Sequence, residues 1–227
     1  MVYIGLNNKL LLATDVNQQN VLHLAAKGGD TEVLEEIWEQ CKEKLMPEDW
    51  KTELLLAKDR CENTAWHMAA YVDKIEILQK IWKWAKRNLT TGEINDKLLL
   101  GTDDMGRTSW HMAAKNNSIA VLQKIWEWAN EQREWKGLNR FFLLAKDSME
   151  KTAWHAAAEY GNTEALHKLY KWAKSVLTPD ELRNILFEDK DRERRTVWDL
   201  AESTEKSELC YKLKGWDKDR KIYRKNL

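Results

Sequence analysis

The side chains in this sequence most able to do chemistry recur at a fixed step. Histidines stand at 23, 67, 111 and 155, each 44 residues after the last, within NVLHLAA, TAWHMAA, TSWHMAA and TAWHAAA. Aspartates keep the same step at Asp15, Asp59, Asp103, Asp147 and Asp191. Imidazoles and carboxylates bind metals and move protons, so a metal-ligating row and a set of acid/base groups are the two chemistries to weigh. The spacing argues against both. Packed helical units stand roughly 8–10 Å apart, whereas zinc ligands lie about 2 Å from one ion, so one ion does not join two such histidines. Catalysis likewise needs one converged constellation, and a periodic ladder supplies equivalent copies spread along an axis. The expectation is therefore structural, with histidines fixing the frame and aspartates capping turns. His167 falls outside the row, in the place of Gln79 and Gln123, and is expected on a solvated face.

Other chemistry is sparse. There is no Gly-rich phosphate loop, Cys-x-x-Cys pair, His-Glu-x-x-His or nucleophile elbow, so neither an enzyme nor a cofactor nor a metal is expected. Thirteen tryptophans could stack on bases or cage a cation, but Trp66, Trp110, Trp154 and Trp198 share one register and Trp38, Trp82 and Trp126 another, which assigns them to packing. Trp135 breaks register, its equivalents being Pro47, Thr91 and Pro179, and is expected to be exposed. Cys41, Cys61 and Cys210 are odd in number and lack paired spacing; free thiols in a reducing, cytoplasmic compartment are expected. Thirty-seven basic residues balance thirty-seven acidic ones, so no global field favours nucleic acid or an anionic membrane. The apolar runs fall far short of the roughly 20 residues that span a bilayer. The opening MVYIGLNNKLLL is interrupted by Asn7, Asn8 and Lys9, unlike a signal peptide.

The elements that carry these residues must be helices, because nine glycines and two prolines in 227 residues leave few irregular stretches. Within residues 59–102, a first short helix is expected at about 65–71 behind an N-cap at Thr64, with Trp66 and the alanines inward. A turn at Val72 and Asp73 closes it. Gly29, Asn117 and Gly161 hold the equivalent of Asp73, and all tolerate positive φ. A second helix from about 75 to 86 carries apolar residues at 77, 78, 81, 82 and 85. A third, short helix is clearest where Thr178-Pro179-Asp180-Glu181 forms a capping box with proline at the first helical position. Its slots elsewhere hold Trp50, Leu54 and Leu55; Ile94, Leu98 and Leu99; Leu138, Phe142 and Leu143.

The segment Thr64-Ala65-Trp66-His67-Met68-Ala69-Ala70, its copies at 108–114 and 152–158, and the turn TDDMGRT at 102–108 resemble the ankyrin repeat. The resemblance implies an all-α ankyrin-type repeat solenoid, its histidine bonded to the motif threonine and the neighbouring connector. Two departures stand out. Alanine or serine and tryptophan replace the motif's proline and leucine, and the period is 44 against about 33, which makes room for the third helix. The turn glycine stands only at 106, with Gln18, Glu62, Glu150 and Arg194 elsewhere, so finger geometry is expected to vary between units.

Residues 1–14 then form a partial unit, residues 15–211 an array with units starting near 15, 59, 103, 147 and 191, and residues 212–227 a basic tail. The resemblance implies a non-catalytic scaffold that binds another protein through a concave face of finger turns and first helices. Carried over by position, its contact residues are Arg60, Cys61, Asn63, Tyr71 and Val72; Asp104, Met105, Arg107, Lys115 and Asn116; and Ser148, Met149, Lys151, Glu159 and Tyr160. These slots change between units while the frame around them recurs. The alternative is nucleic-acid binding by the tail, whose cations are interleaved with Trp216 and Tyr223. No membrane association and no obligate homo-oligomer are expected.

Overall fold

The computed structural model describes residues 8–131, 137–204 and 207–223, and their side chains over 10–131, 137–204 and 208–216. Among these residues the regular structure is all helical, apart from isolated bridge residues such as Thr14 and Asn20, which pair with each other. The chain divides into two compact parts, Met1–Asp104 and Met105–Leu227.

A short leading helix recurs at the histidine step: Val21–Gly28, Ala65–Tyr71, Ser109–Lys115, Ala153–Glu159 and Val197–Ser203. Thr64, Thr108, Thr152 and Thr196 hold extended backbone at the N-cap, where a short polar side chain best replaces the missing turn. Alanines on the inner face, such as Ala69, Ala70, Ala157 and Ala158, are fully buried and allow close helix approach. Each of the first four leading helices then reverses through a left-handed residue: Gly29 at φ 73°, Asp73 at 56°, Asn117 at 56° and Gly161 at 63°. The long helices that follow are Thr31–Lys44, Ile75–Asn88, Ile119–Glu131, Thr163–Val176 and Ser207–Tyr223. In Ile75–Asn88, the stripe of Ile77, Leu78, Ile81, Trp82 and Ala85, widened by Trp84, is buried.

Aromatic rings tie successive long helices together. Trp38 lies flat on Trp84 at 4.2 Å, Trp126 on Trp172 at 5.0 Å and Tyr170 on Trp216 at 4.1 Å, with planes within 10° of parallel. Each pair is 46 residues apart, so a ring of one copy meets a second ring register in the next. Such stacks are worth about 0.5–1.5 kcal/mol each beyond the area they bury.

The third helix takes two forms. In the later copies it is α-helical, Leu138–Leu144 and Pro179–Phe187, the latter behind the Thr178/Glu181 capping box. In the earlier copies, short α-turns at Pro47–Trp50 and Thr91–Glu93 open into π-helix over Lys51–Leu55 and Ile94–Leu99. The apolar spacing is i, i+4, i+5 in Trp50, Leu54, Leu55 and in Ile94, Leu98, Leu99, but also in Leu138, Phe142, Leu143 of an α-helical copy, so spacing alone does not select the π form. In the two π-helical copies the widened turn brings i+5 back over i, and all six of their side chains are buried.

The finger turns overturn one expectation. They do not vary: Gln18, Glu62, Gly106, Glu150 and Arg194 all take positive φ, between 58° and 71°. The aspartates impose this. The Asp59 carboxylate accepts the backbone N–H of Cys61 at 2.9 Å and of Asn63 at 2.8 Å, while its own N–H donates to the Asn63 carbonyl. Asp15 and Asp147 repeat the arrangement with Asn17 and Gln19, and with Met149 and Lys151. These bonds hold a left-handed residue that glycine would adopt more cheaply. Fingers are joined by single backbone bonds, from Arg60 N–H to Asn17 O, Asp104 to Cys61, Ser148 to Met105 and Arg192 to Met149.

Two outcomes follow for stability. Arg194→Gly, at an exposed left-handed position, is expected to raise stability by about 0.5–1 kcal/mol, read as a higher urea midpoint at constant slope. Trp154 donates its indole N–H to the Leu143 carbonyl at 3.0 Å, whereas the buried indole N–H of Trp110 meets no acceptor among the described residues. Trp154→Phe is therefore expected to cost about 1 kcal/mol more than Trp110→Phe; equal costs would refute the difference.

Candidate functional site

The four histidines are buried, and both nitrogens of each ring are engaged. Nδ1 of His67, His111 and His155 accepts the backbone N–H of Thr64, Thr108 and Thr152 at 3.2–3.3 Å, with the threonine hydroxyl at 2.9–3.0 Å. Nε2 faces a carbonyl 34 residues further on: Gly101 at 2.9 Å, Ala145 at 3.1 Å and Asp189 at 3.2 Å. A carbonyl only accepts, so Nε2 carries the proton and Nδ1 the lone pair, which makes these rings neutral. At His23, Nε2 reaches the Asn63 carbonyl at 2.8 Å, and Nδ1 accepts the backbone N–H of Asn20, which holds the threonine position, at 3.3 Å. The Asn20 amide adds what a hydroxyl lacks, donating to the carbonyls of Glu53 and Leu54 in the third helix. Bonded this way, the histidine row is a set of clamps. Among the described residues no group of three or more His, Cys, Asp and Glu side chains is placed to hold a metal ion.

The structure leaves none of the fifteen candidate contact residues buried. Arg60, Cys61, Tyr71, Asp104, Met105, Asn116, Ser148 and Tyr160 are exposed, and Asn63, Val72, Arg107, Lys115, Met149, Lys151 and Glu159 are half-buried. In the part Met1–Asp104, the backbones of Arg60, Cys61 and Asp104 are spent on finger bonds while their side chains face solvent. The Asn63 side chain turns back to Asp59 at 3.3 Å. In the part Met105–Leu227, Lys151 binds both carboxylate oxygens of Glu159 at 2.8 Å, and Lys115 Nζ lies 4.8 Å from the centre of the Tyr160 ring.

Sequence reasoning missed Arg195, which completes this cluster. Its guanidinium donates to Asp191 at 2.8 and 3.0 Å and lies 3.6 Å from Glu159. The Asp191 bond holds Arg195 above its ordinary value. Burial pushes the Asp191 carboxyl up, but the Arg195 N–H groups outweigh it and leave it lowered. A signal existed, since Arg195 occupies the finger slot of Lys151 and so repeats a cation beside the ladder aspartate.

Three further placements bear on function. The expected boundary at 212 falls inside the helix Ser207–Tyr223, where Leu209 and Leu213 are fully buried and Trp216 is stacked on Tyr170. His167, expected on a solvated face, is half-buried: its ring lies 6.3 Å from that of Trp216, and its Nδ1 is without a partner among the described residues. Burial and the nearby Lys171, Lys212 and Lys168 lower its pKa. Cys41 is buried and its thiol is pushed up to about 11, whereas Cys61 is exposed on a finger; all three cysteines are free thiols. Trp135 lies outside the described residues. Among those that are described, no helix is long and apolar enough to cross a membrane.

Compared with models of known protein families and with curated proteins, the chain matches neither.

Burial lowers the pKa of His23, His67 and His155, which gives the fold a pH dependence. A histidine depressed in the folded state binds fewer protons there than when unfolded, so stability is full above the unfolded value of about 6.5 and is lost as pH falls below it. Glu93, held down by the Thr90 N–H and Lys51, and Glu181, held down by Arg140, both lie at about 2 and stay ionised over that range. The urea midpoint is expected to fall between pH 7 and pH 5, with a smaller fall in His155→Gln. A flat profile would contradict the neutral clamps.

Proposed function

We propose that this chain is an ankyrin-type repeat solenoid of extended period and a non-catalytic scaffold, binding another protein through its finger turns and the ends of its leading helices. The observation that carries the reading is a division of labour along the 44-residue register. Positions that recur, such as Thr64, His67, Ala69 and Leu78 with their copies, are buried, while four of the five candidate slots differ in all three copies, the fifth holding Cys61, Met105 and Met149, and all fifteen residues reach solvent. Side chains with that freedom can be matched to a partner without disturbing the frame. Their chemistry is mixed: Tyr71, Tyr160, Met105 and Met149 stand among Arg60, Arg107, Asp104 and Ser148, a composition suited to a protein surface rather than a polyanion. Fingers held by ladder aspartates and fixed left-handed residues also lose little entropy on binding. Nucleic-acid binding by the C-terminal segment has less support, because Trp216 is stacked on Tyr170 and Leu213 is buried.

The test is affinity capture from the native source with mass spectrometry, comparing the wild type with the triple substitution Tyr71→Ala, Arg107→Ala, Met149→Ala. Partners retained by the wild type are expected to fall at least tenfold with the substituted protein while its urea midpoint is unchanged. Identical partner sets would refute the site.

A further inference from the structure

The leading and long helices of the first copy form an open apolar groove of about 290 Å³, floored by Val21, Leu24, Ala25, Val33 and Ile37. Leu24 and Val33 are each 47% exposed. The positions of Val33 and Val21 are closed in the later copies, whereas that of Leu24 stays half-buried at Met68 and Ala156. The equivalents of Val33 are Ile77, Val121 and Ala165, and those of Val21 are Ala65, Ser109 and Ala153; all six are 0% exposed.

What closes such a position is visible within each part. In Met105–Leu227 the Ala165 N–H donates to Asn117 Oδ1 at 3.0 Å, and the Asn162 amide donates to the carbonyls of Ala114 at 3.0 Å and Lys115 at 2.5 Å. The reversing turn of one helical hairpin thus sits on the start of the next long helix. In Met1–Asp104 Lys74, the counterpart of Asn162, lies across Gly29 of the preceding turn, so closely that a Cβ on Gly29 would fall 2.4 Å from Lys74 Cε. The groove of the first copy is this same interface, opened to solvent.

We propose that the groove is a docking surface for a further helical hairpin of the same build, and that Asp30 selects one carrying a cation at the end of its leading helix. Asp30 is the first copy's counterpart of Asn162. Its carboxylate caps its own helix through the N–H groups of Glu32 and Val33 at 3.0 Å. Unlike the Asn162 amide it has no N–H to offer the carbonyls that end an incoming helix. A lysine at that end, as Lys115 ends Ser109–Lys115, supplies the missing positive charge. The inference stands apart from the finger site and draws only on the repeated hairpin interface.

The experiment lengthens the full chain by inserting a copy of residues 103–146 between Thr14 and Asp15, which keeps the 44-residue register. Val33→Cys, in a Cys61→Ser, Cys210→Ser background, reports cover of the groove through its rate of reaction with a maleimide. Insertion is expected to slow labelling at 33 at least tenfold and to protect the inserted amides from hydrogen exchange. An unchanged rate overturns the proposal whether or not the insert is protected, because a hairpin that cannot bury its apolar face alone must fold on this surface or stay unfolded. An insert whose copy of Lys115 is changed to Glu is expected to lose most of that slowing. Equal slowing by both inserts overturns selection by Asp30.

Discussion

The structure depends on the histidine clamp. A seven-residue helix such as Ala65–Tyr71 is too short to hold itself, and one turn of it is organised by the ring at its third position. That ring receives the cap's N–H on one nitrogen and spends its single proton on a carbonyl 34 residues away, at the exit of the third helix. Start and end of a 44-residue copy are thereby fixed to each other in the dry interior. Only a neutral imidazole does both, as it offers one donor and one acceptor on opposite sides of a rigid ring. The burial that makes the bonds strong also keeps the ring uncharged, so geometry and protonation state enforce each other.

Much of the architecture was legible because the clamp leaves a periodic trace. Thr64, His67 and the alanine pair announce the leading helix, and Thr178-Pro179-Asp180-Glu181 announces the third. The π-helical form at Lys51–Leu55 and Ile94–Leu99 was not legible, since spacing at i, i+4, i+5 reads equally well as a loose α-stripe. Uniform finger geometry was hidden for a different reason. Glutamate, glutamine and arginine are poor left-handed residues by local preference, and the carboxylate three positions earlier overrides it. The partial cover of His167 was not legible because it comes from Trp216, far along the chain.

The candidate site was legible as exposure and not as pairing. Register alone places Tyr71, Met105 and Tyr160 at the surface, as found. It does not say that Lys151 and Glu159 satisfy each other, nor that Arg195, bonded to Asp191, also lies 3.6 Å from Glu159. Those contacts link positions 8, 4 and 36 residues apart, separations that the 44-residue register does not announce. Part of the variable surface is thus committed internally, leaving side chains such as Arg60, Asp104 and Ser148 the freer to face a partner.

The stacked aromatic pairs carry a consequence for how the molecule interacts with light. Indoles held nearly parallel 4–5 Å apart, as Trp38 and Trp84 or Trp126 and Trp172 are, share their electronic excitations, so absorption and emission belong to the pair and not to either ring. Each such pair bridges two successive copies and exists only while they are packed. Its coupled optical transition is a built-in gauge of that one interface, and copies that separate would lose it one junction at a time.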